Sequence, residues 1–490
     1  KRMFINHLVC EGCGDCSVKS NCISVKPIET PLGRKRQIDQ SDCNKDFSCL
    51  KGFCPSFVTV YGGKPRRLAA ASTGDDFPEL PDPVLARVTG VFNILVTGIG
   101  GTGVITIGAL LGMAAHLEGR GASVLDFTGL AQKNGGVTSH VRIAEHQDML
   151  HAVRIGVGAA DLLLACDMIV AVSAGALSRV DSARTAAVVN TRVTPTSAFV
   201  RDTMIDLSST RDLKILETAV RDDAAFVDAT SLATALLGDS IASNLFMLGL
   251  AWQRGLVPLG FAALDKAIEL NGTAVAANRK AFAWGRLAAI DPLRVEAAAA
   301  VPSFTDTGIE SGLAGLVAVR AADLVTYQDD AYAARYRALV NTMEDAEVRV
   351  MGSAGDLTDA VARNFFKLMA YKDEYEVARL YSDNRFAAQI AAQFEGDFKL
   401  EFNLAPPMFA KRDASTGELR KRAYGSWMMH GFKLLARMKL FRGTRLDIFG
   451  YQQERRIERG LIESYEADML RLASALDRDS HARAVEIARL

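Results

Sequence analysis

Short apolar runs alternate with longer helical patterns through the middle of the chain, between residues 93 and 289. These runs predict strands at 94–97, 123–127, 138–143, 167–172 and 187–190. Several of the segments between them are long enough for crossover helices, which is typical of a sheet with helices packed on its faces. Residues 93–290 are therefore expected to form a Rossmann-like α/β domain.

The two ends of the chain show different patterns. Residues 1–67 are rich in loops and cysteine and have little helical period, which indicates a small domain organised by something other than an apolar core. Residues 321–490 follow a helical period and predict a mostly α-helical C-terminal domain. The chain is thus expected to be a multidomain α/β protein, with a linker at 68–92 and a connection at 291–320.

One stretch in the middle resembles a membrane span because it has no formally charged residue from position 88 to position 117. Glycines interrupt it, six of them between positions 98 and 112, and its first apolar run is short enough for a buried strand. A strand, a glycine turn and a buried helix explain the stretch better than a span, so no membrane partner is expected.

Composition narrows the classes of partner further. The 490 residues include 57 Lys and Arg and 57 Asp and Glu, and this balance argues against a nucleic-acid partner. No basic-then-apolar segment of the kind that directs export precedes the body of the protein, so a cytoplasmic location is expected. The first residue is Lys1 rather than methionine, which suggests part of a longer protein or a processed product.

Seven of the eight cysteines lie in the first 54 residues. Cys10, Cys13 and Cys16 follow one another at two-residue gaps, and Cys54 precedes a proline. Three closely spaced thiols and a distant Cys-Pro are typical of the ligands of a [4Fe-4S] cluster. Residues 1–67 are therefore predicted to be a ferredoxin-like module with Cys10, Cys13, Cys16 and Cys54 as its metal ligands. A structural zinc site and a disulfide framework are the alternatives.

Cys22, Cys43 and Cys49 depart from the two-cluster ferredoxin pattern, because no second close triplet of cysteines exists. They are less certain metal ligands. A second cluster with one ligand other than cysteine, a metal-free thiol set, a disulfide, or thiols used only during cluster assembly would each fit. Cys166 lies in an apolar run and is expected to be a small buried hydrophobic residue.

Two glycine-rich loops are candidate sites for an anionic cofactor, because glycine lets the backbone approach a ligand and a following helix favours negative charge. The first loop resembles a dinucleotide fingerprint with Asp126 as the ribose carboxylate, although phosphates of coenzyme A or thiamine diphosphate would suit it equally. The alternative is that the glycines only allow the strand to pack tightly against the helix and bind no ligand. The predicted cofactor-binding residues of the two loops are Gly98, Gly100, Gly101, Gly103, Gln132, Asn134, Gly135 and Gly136.

Together these motifs resemble the indolepyruvate ferredoxin oxidoreductase family, in its long fused form, within the wider group of 2-oxoacid:ferredoxin oxidoreductases. The resemblance rests on the cysteine module, on the first glycine loop and on segments 104–106, 132–137, 141–143, 278–285, 366–375, 405–407, 442–444 and 447–450. It implies that residues 93–290 are a gamma-type domain of the pyruvate ferredoxin oxidoreductase kind. The helical residues 321–490 correspond to the domain appended in the fused members.

The resemblance implies an enzyme that decarboxylates an indolepyruvate-like or other 2-oxoacid on thiamine diphosphate with Mg²⁺. A [4Fe-4S] cluster then carries electrons to ferredoxin, and coenzyme A accepts the acyl group. The Gly-Asp-Gly motif that holds Mg²⁺ and diphosphate is missing here, so the thiamine-binding domains are expected upstream or on another chain. No residue of this chain is expected to be an acid–base catalyst, and a homo-oligomer is expected.

Two other functions compete with this expectation. One is an NAD-dependent iron–sulfur oxidoreductase that uses the first glycine loop and Asp126. The other is a non-catalytic scaffold stapled by metal. In the C-terminal domain, basic residues that include Lys433, Arg437 and Arg442 would either dock an acidic ferredoxin or form an ordinary solvated helix face.

Overall fold

The chain divides into two units that do not follow the order of the sequence. The computed structural model describes residues 1–22, 24–40, 43–66, 77–129, 135–193, 210–299, 312–405 and 420–489. One unit, here the sheet unit, spans Arg67–Ser303. The other, here the cysteine–helix unit, combines Lys1–Arg66 with Phe304–Leu490.

The N-terminal part of the cysteine–helix unit consists of short strands around the cysteine loops. Strands β2 and β3 form an antiparallel hairpin, and β1 pairs antiparallel with β4. The elements are β1 (Arg2–Ile5), α1 (Asp15–Ser20), β2 (Val25–Thr30), β3 (Gly33–Ile38), a 3₁₀ turn (Ser48–Lys51), β4 (Phe57–Tyr61) and β5 (Lys64–Pro65).

The sheet unit is built on a six-stranded sheet with the order β11-β10-β9-β6-β8-β7. Strands β6, β9, β10 and β11 are parallel, while β8 runs antiparallel between β6 and β7. Its strands are β6 (Val91–Ile99), β7 (Gly121–Phe127), β8 (Gly136–Ala144), β9 (Leu162–Ala165), β10 (Ala186–Asn190) and β11 (Ala225–Val227). Its helices are α2 (Val104–Leu117), α3 (Met168–Ala171), α4 (Ala174–Leu177), α5 (Thr210–Ala219), α6 (Ala229–Leu237), α7 (Ser243–Gln253), α8 (Phe261–Asn271), α9 (Val275–Ile290) and α10 (Pro292–Ala299).

Apolar residues cover both faces of this sheet. Ile94 and Val96 of β6 face the helices α2, α7 and α9, whereas Leu95 belongs to a separate core on the opposite face. Helices α7 and α9 approach closely because Gly249 and Gly285 have no side chains. A Cβ on either glycine would lie within about 2 Å of a carbonyl oxygen of the other helix. The expected α/β class is confirmed for this part of the chain.

Four of the five predicted strands lie within observed strands, and the prediction at 167–172 is wrong. The strand there is β9, which ends at Ala165, and Asp167 instead begins helix α3 by accepting a hydrogen bond from the Val170 amide at 3.1 Å. A continuous apolar run has no periodicity that could locate the strand within it.

The uncharged stretch forms part of β6, the glycine loop and α2, as expected. Among the described helices, none combines the length and the apolar character that crossing a bilayer requires.

The C-terminal part of the cysteine–helix unit is mostly helical, as predicted, but it also supplies strands. Strand β13 pairs with both β4 and β14, which gives a four-stranded antiparallel sheet with the order β1-β4-β13-β14. The helices are α11 (Leu313–Tyr327), α12 (Asp330–Met351), α13 (Asp356–Met369), α14 (Glu374–Ser382), α15 (Asn384–Gln393), α16 (Met428–Arg437), α17 (Gln453–Ala475) and α18 (His481–Arg489). The strands are β12 (Phe394–Glu395), β13 (Lys399–Leu404) and β14 (Arg422–Tyr424).

A buried carboxylate fixes the start of α13. Glu347 of α12 is only 1% exposed and accepts hydrogen bonds from the amides of Gly355, Leu357 and Thr358 at 2.9–3.1 Å. Its other partners are the Thr358 hydroxyl, at 2.6 Å, and His481, at 2.8 Å. Burial alone would raise the pKa of Glu347, but hydrogen bonds from Thr358 and His481 outweigh it and lower the pKa to about 2. The charged carboxylate thus satisfies the free amides of a helix N-terminus.

Replacing Glu347 with glutamine should therefore loosen the N-terminal turn of α13. We expect a loss of about 1–3 kcal/mol in local stability, because the amide offers one acceptor oxygen to donors that now share a carboxylate. Hydrogen exchange of the α13 amides should be faster by about 5- to 150-fold at neutral pH. The difference from wild type should fade as the pH falls from about 4.5 towards 2, where the wild-type carboxylate is protonated.

Glu344→Gln is the matched control, because Glu344 lies on the same helix and is exposed. Equal exchange rates in the two variants would contradict a capping role for Glu347.

Candidate functional site

The first cysteine loop has the backbone of a loop that wraps a ligand. Gly12 and Gly14 both have positive φ, at +71° and +80°, and Gly14 is the N-cap of α1. The amide of Gly12 donates a hydrogen bond to the Cys10 sulfur at 3.3 Å. A Cβ on Gly12 would lie 2.0 Å from the carbonyl oxygen of Arg34, so only glycine fits between the loop and β3. The glycines between the cysteines are therefore required by the fold.

Four thiols form one group at this loop. Burial, together with the neighbouring Cys54, Cys10 and Cys13, raises the pKa of Cys16 to about 12. Burial, followed by Cys54, likewise raises the pKa of Cys10 to about 11. Cys54, distant in sequence, is thus an electrostatic neighbour of all three cysteines of the loop. The structure brings together the four residues that the sequence selects as one ligand set.

Positive side chains surround the four thiols. Arg36 of β3 donates a hydrogen bond to the Gly12 carbonyl at 3.3 Å. Burial lowers the pKa of Lys421, whereas the nearby Cys54 and Cys16 raise it. Its buried Nζ has no hydrogen-bond partner among the described residues. Four thiolates would place negative charge beside these cations, so the donor set and its surroundings fit an iron–sulfur cluster. Sequence reasoning missed Lys421, because only β14 and its neighbours bring it to the loop.

The other three clustered cysteines form a second group. Burial raises the pKa of Cys49 to about 12, and its next largest influences are Cys22 and Cys43. All eight cysteines lie in described ranges and are free thiols, so the structure does not support a disulfide framework. Within the described residues, no three His, Cys, Asp or Glu side chains converge tightly enough to hold a single metal ion. Cys166 is buried in the core of the sheet unit, as expected.

The two glycine loops meet at one edge of the sheet. The amide of Gly100 donates to the carbonyl of Gly135 at 2.8 Å, and Ile99 pairs with Gly136. Gly103 has φ +93° and precedes α2, whose first amides receive no side-chain cap. Gly101 and Gly136 are exposed. The predicted residues Gln132 and Asn134 lie outside the described residues.

Packing explains part of this glycine pattern. A Cβ on Gly98 would lie 2.4 Å from a side-chain carbon of Val104, so this glycine allows close contact between strand and helix. Asn244 of α7 fixes the tip of the loop by donating to the Thr102 carbonyl at 2.8 Å. The start of α2 has no side-chain cap, which is an arrangement that favours an anionic group.

The structure does not place Asp126 where a dinucleotide-binding domain has the carboxylate that binds the ribose. Asp126 lies on β7, and β8 separates β7 from β6. Ser139 of β8 is the register partner of both Asp126 and Val96, so the carboxylate is two strands away from the strand that feeds the glycine loop. In the dinucleotide fold these two strands are neighbours.

His140 and Arg142 lie two residues apart on β8 and therefore share one face of the strand, and both side chains have hydrogen-bond partners within the sheet unit. The Nδ1 atom of His140 accepts a hydrogen bond from the Ile155 amide at 3.1 Å. Burial, together with Arg179 and Arg154, lowers the pKa of His140 to about 4, so its ring is neutral at physiological pH. Arg142 donates to the Asn93 side chain at 2.9 Å.

Substituting Gly12 with alanine should disturb the first cysteine loop strongly. Positive φ alone costs an L-residue about 1–2 kcal/mol, and the contact with the Arg34 carbonyl requires a further backbone shift. Gly33→Ala is the matched control, because Gly33 has φ +102° but open space around its Cβ position. Hydrogen exchange of residues 1–66 should increase more in Gly12→Ala than in Gly33→Ala. Equal effects would mean that the close approach to β3 is unimportant.

The comparisons with known proteins concern two parts of the chain. Residues 93–288 match the family described as pyruvate ferredoxin/flavodoxin oxidoreductase, and residues 313–490 match a family of unknown function, DUF6537. The indolepyruvate oxidoreductase subunit IorB of Pyrococcus horikoshii is 28% identical over 208 residues, covering 42% of this chain and 98% of that protein. The corresponding subunit of Thermococcus kodakarensis is 26% identical over 206 residues, covering 41% and 98%.

Among solved structures, the gamma subunit of a keto/oxoacid ferredoxin oxidoreductase from Geobacter sulfurreducens matches with 21% identity and a TM-score of 0.29. The match covers 41% of this chain and 98% of that one. The homologues found by sequence are oxidoreductases. Residues 93–288 therefore match the pyruvate ferredoxin/flavodoxin oxidoreductase family, and this part of the chain is similar to the indolepyruvate oxidoreductase subunit IorB.

Proposed function

We propose that this chain is the electron-transfer and coenzyme-docking portion of a thiamine-diphosphate-dependent 2-oxoacid:ferredoxin oxidoreductase. The enzyme would convert an indolepyruvate-like or other arylpyruvate substrate to acyl-CoA and CO₂ and reduce ferredoxin. One observation carries the proposal: a four-thiol group occurs in the same chain as a domain that aligns with almost the full length of IorB. A non-catalytic scaffold would not need both features in one chain.

The cysteine–helix unit would hold a [4Fe-4S] cluster through Cys10, Cys13, Cys16 and Cys54. Such a cluster supplies one-electron transfer when bound. The protein contributes hydrogen bonds to the ligand sulfurs, as the Gly12 amide already does, and positive charge beside the thiolates. Both features stabilise negative charge at the cluster and thereby affect its reduction potential.

The glycine loops of the sheet unit would bind coenzyme A. Its phosphates are anionic, and the loops present exposed glycines together with the uncapped amides of α2. This edge is where parallel strands β6 and β9 end, which is the usual position of ligands in open α/β sheets. Gln132 and Asn134 are included in the proposed site as residues of the second loop.

The carbon chemistry would depend on other domains. Thiamine diphosphate and Mg²⁺ would be held mainly by thiamine-binding domains upstream in the same protein or on a partner chain, within a cytoplasmic homo-oligomer. Ferredoxin would accept the electrons. Lys433, Arg437 and Arg445 are exposed and suit an acidic ferredoxin, whereas Arg442 is buried and bonded to Asp373, so it is excluded from such a surface.

Removing one thiol of the four-thiol group tests the cluster. In the anaerobically purified chain, Cys10→Ser should lose most cluster absorbance, acid-labile sulfide and the paramagnetic signal that dithionite produces, because serine is a poor ligand for this cluster. Cys166→Ser is the control, since Cys166 is buried in the sheet unit. Stoichiometric zinc without sulfide in the wild-type chain would contradict the proposal.

A charge placed in the first glycine loop tests coenzyme binding. Gly101→Asp should weaken coenzyme A binding about tenfold or more, because the carboxylate would repel the phosphates at an exposed position. Gly101→Asn is the matched control: both side chains have similar size and tolerate positive φ, which is +87° here. Calorimetric titration of both variants gives the comparison. Equal affinities would place the phosphates elsewhere.

A further inference from the structure

We propose that Asp46 completes a second iron–sulfur site, whose other ligands are Cys22, Cys43 and Cys49. The inference rests on the iron–sulfur role proposed for the module and goes beyond it by assigning a second cluster and a carboxylate ligand. It explains why a third close cysteine is missing from the second segment: its position is occupied by an aspartate.

The first argument is spacing. Cys43, Asp46 and Cys49 follow one another at the same two-residue gaps that separate the three cysteines of the first loop. Asp46 is at the position that corresponds to Cys13. An ionised carboxylate has the same single negative charge as a thiolate, and its oxygens are established ligands for iron. The substitution therefore preserves the charge of the donor set.

The second argument is backbone conformation. In the first loop Gly12 and Gly14 have φ +71° and +80°, and in the second loop Lys45 and Phe47 occupy the equivalent positions with φ +62° and +61°. Positive φ is unfavourable for a residue with a side chain. The second segment thus keeps the fold of a ligand loop where its residues disfavour that fold, and such conformations are concentrated at functional sites.

The third argument is the helical turn that follows each loop. Cys16 is the second residue of α1, and Cys49 is the second residue of the 3₁₀ turn Ser48–Lys51. Both cysteines are buried, while Cys13 and Asp46 are both exposed. Each corresponding pair therefore has the same position in its turn and the same exposure.

Hydrogen bonding follows the same correspondence. The amide of Asp15 donates to the Cys13 sulfur, two residues along the chain. The amide of Ser48 donates to Asp46 Oδ1 at 3.0 Å, also two residues along. The carboxylate of Asp46 thus takes the place of a ligand sulfur in the local hydrogen-bond pattern.

The fourth ligand of each site comes from the other segment. Cys54, which follows the second loop, is an electrostatic neighbour of the first three cysteines, and Cys22, which follows the first loop, is a neighbour of Cys49. Cys43 and Asp46 are the other acidic neighbours of Cys49. This exchange of distal cysteines is the arrangement of two-cluster ferredoxins.

The competing explanation is that Asp46 only caps the 3₁₀ turn, since Ser48 Oγ also donates to its Oδ1 at 2.9 Å. Asparagine caps turns as well as aspartate but cannot supply a carboxylate. Asp46→Asn therefore separates the two roles. Asp46→Cys provides the converse test, because it restores a full cysteine triplet.

The experiment uses the full chain, purified anaerobically, with iron, sulfide and paramagnetic resonance as readouts. Wild type should contain about eight iron and about eight sulfide per chain, from two clusters of the [4Fe-4S] type. Asp46→Asn should lose about one iron per chain with sulfide unchanged and show a three-iron signal when oxidised. Asp46→Cys should keep all the iron and shift the midpoint potential of one cluster. Glu29→Gln, which removes an exposed carboxylate elsewhere in the same N-terminal segment, is the control and should match wild type.

About four iron in the wild-type chain, removed by Cys10→Ser, would overturn the second site and leave the proposed function intact. Absence of iron and sulfide would instead contradict both. Full iron in Asp46→Asn, with an unchanged spectrum, would reduce Asp46 to a cap and overturn its ligand role. Should Asp46→Asn fail to fold, Asp46→Cys decides, because unchanged potentials in that variant would equally overturn the ligand role.

Discussion

The backbone pairing between β4 and β13 is the interaction on which the cysteine–helix unit depends. Residues 1–66 carry seven cysteines and have only a small apolar core of their own, so their fold gains from contacts with the rest of the unit. Pairing with β13 lets Val58 and Val60 share a core with Tyr381 and Phe402, which come from the other end of the chain. The Tyr381 hydroxyl also donates to the Pro55 carbonyl at 2.5 Å, next to the distal cysteine. The position of the cysteine loops therefore follows from the helical part of the unit.

Two ion pairs, of which that between Arg442 and Asp373 is buried, extend this dependence and explain two of the segments that carry the family resemblance. Arg442 makes two hydrogen bonds to Asp373, at 2.6 and 2.8 Å, and lies 3.9 Å from the centre of the Tyr327 ring. From the same loop as Asp373, Lys372 lies 3.6 Å from the carboxylate of Glu11, between the first two cysteines. Charges buried in this way are costly unless paired. The charged residues of 366–375 and 442–444 thus act as structural partners and reach as far as the first cysteine loop.

Features that depend on residues close together in the sequence could be predicted, whereas features that depend on long-range contacts could not. Spacing alone selected the four thiols around Cys54, and periodicity located four strands of the central sheet. The prediction of a strand at 167–172 was wrong because a continuous apolar run has no periodicity that shows where the strand ends. Strand β13 was not predicted because its partner β4 lies at the other end of the chain. Lys421 was missed for the same reason. The sequence alone does not separate a ligand role for Asp46 from an ordinary surface position. The positive φ angles of the residues on either side of it favour the ligand role.

The sheet unit shows why a glycine fingerprint identifies a loop more reliably than it identifies a ligand. The strand, the turn and the helix around Gly101 depend on nearby residues, and the structure confirms all three. What lies beside the loop depends on strand order, and here β8 is inserted where the dinucleotide fold has its second strand. That insertion moves Asp126 away from the loop and brings Gly135 against Gly100. A single-sequence motif therefore predicts an anion-binding loop, whereas the choice among anionic cofactors requires the topology.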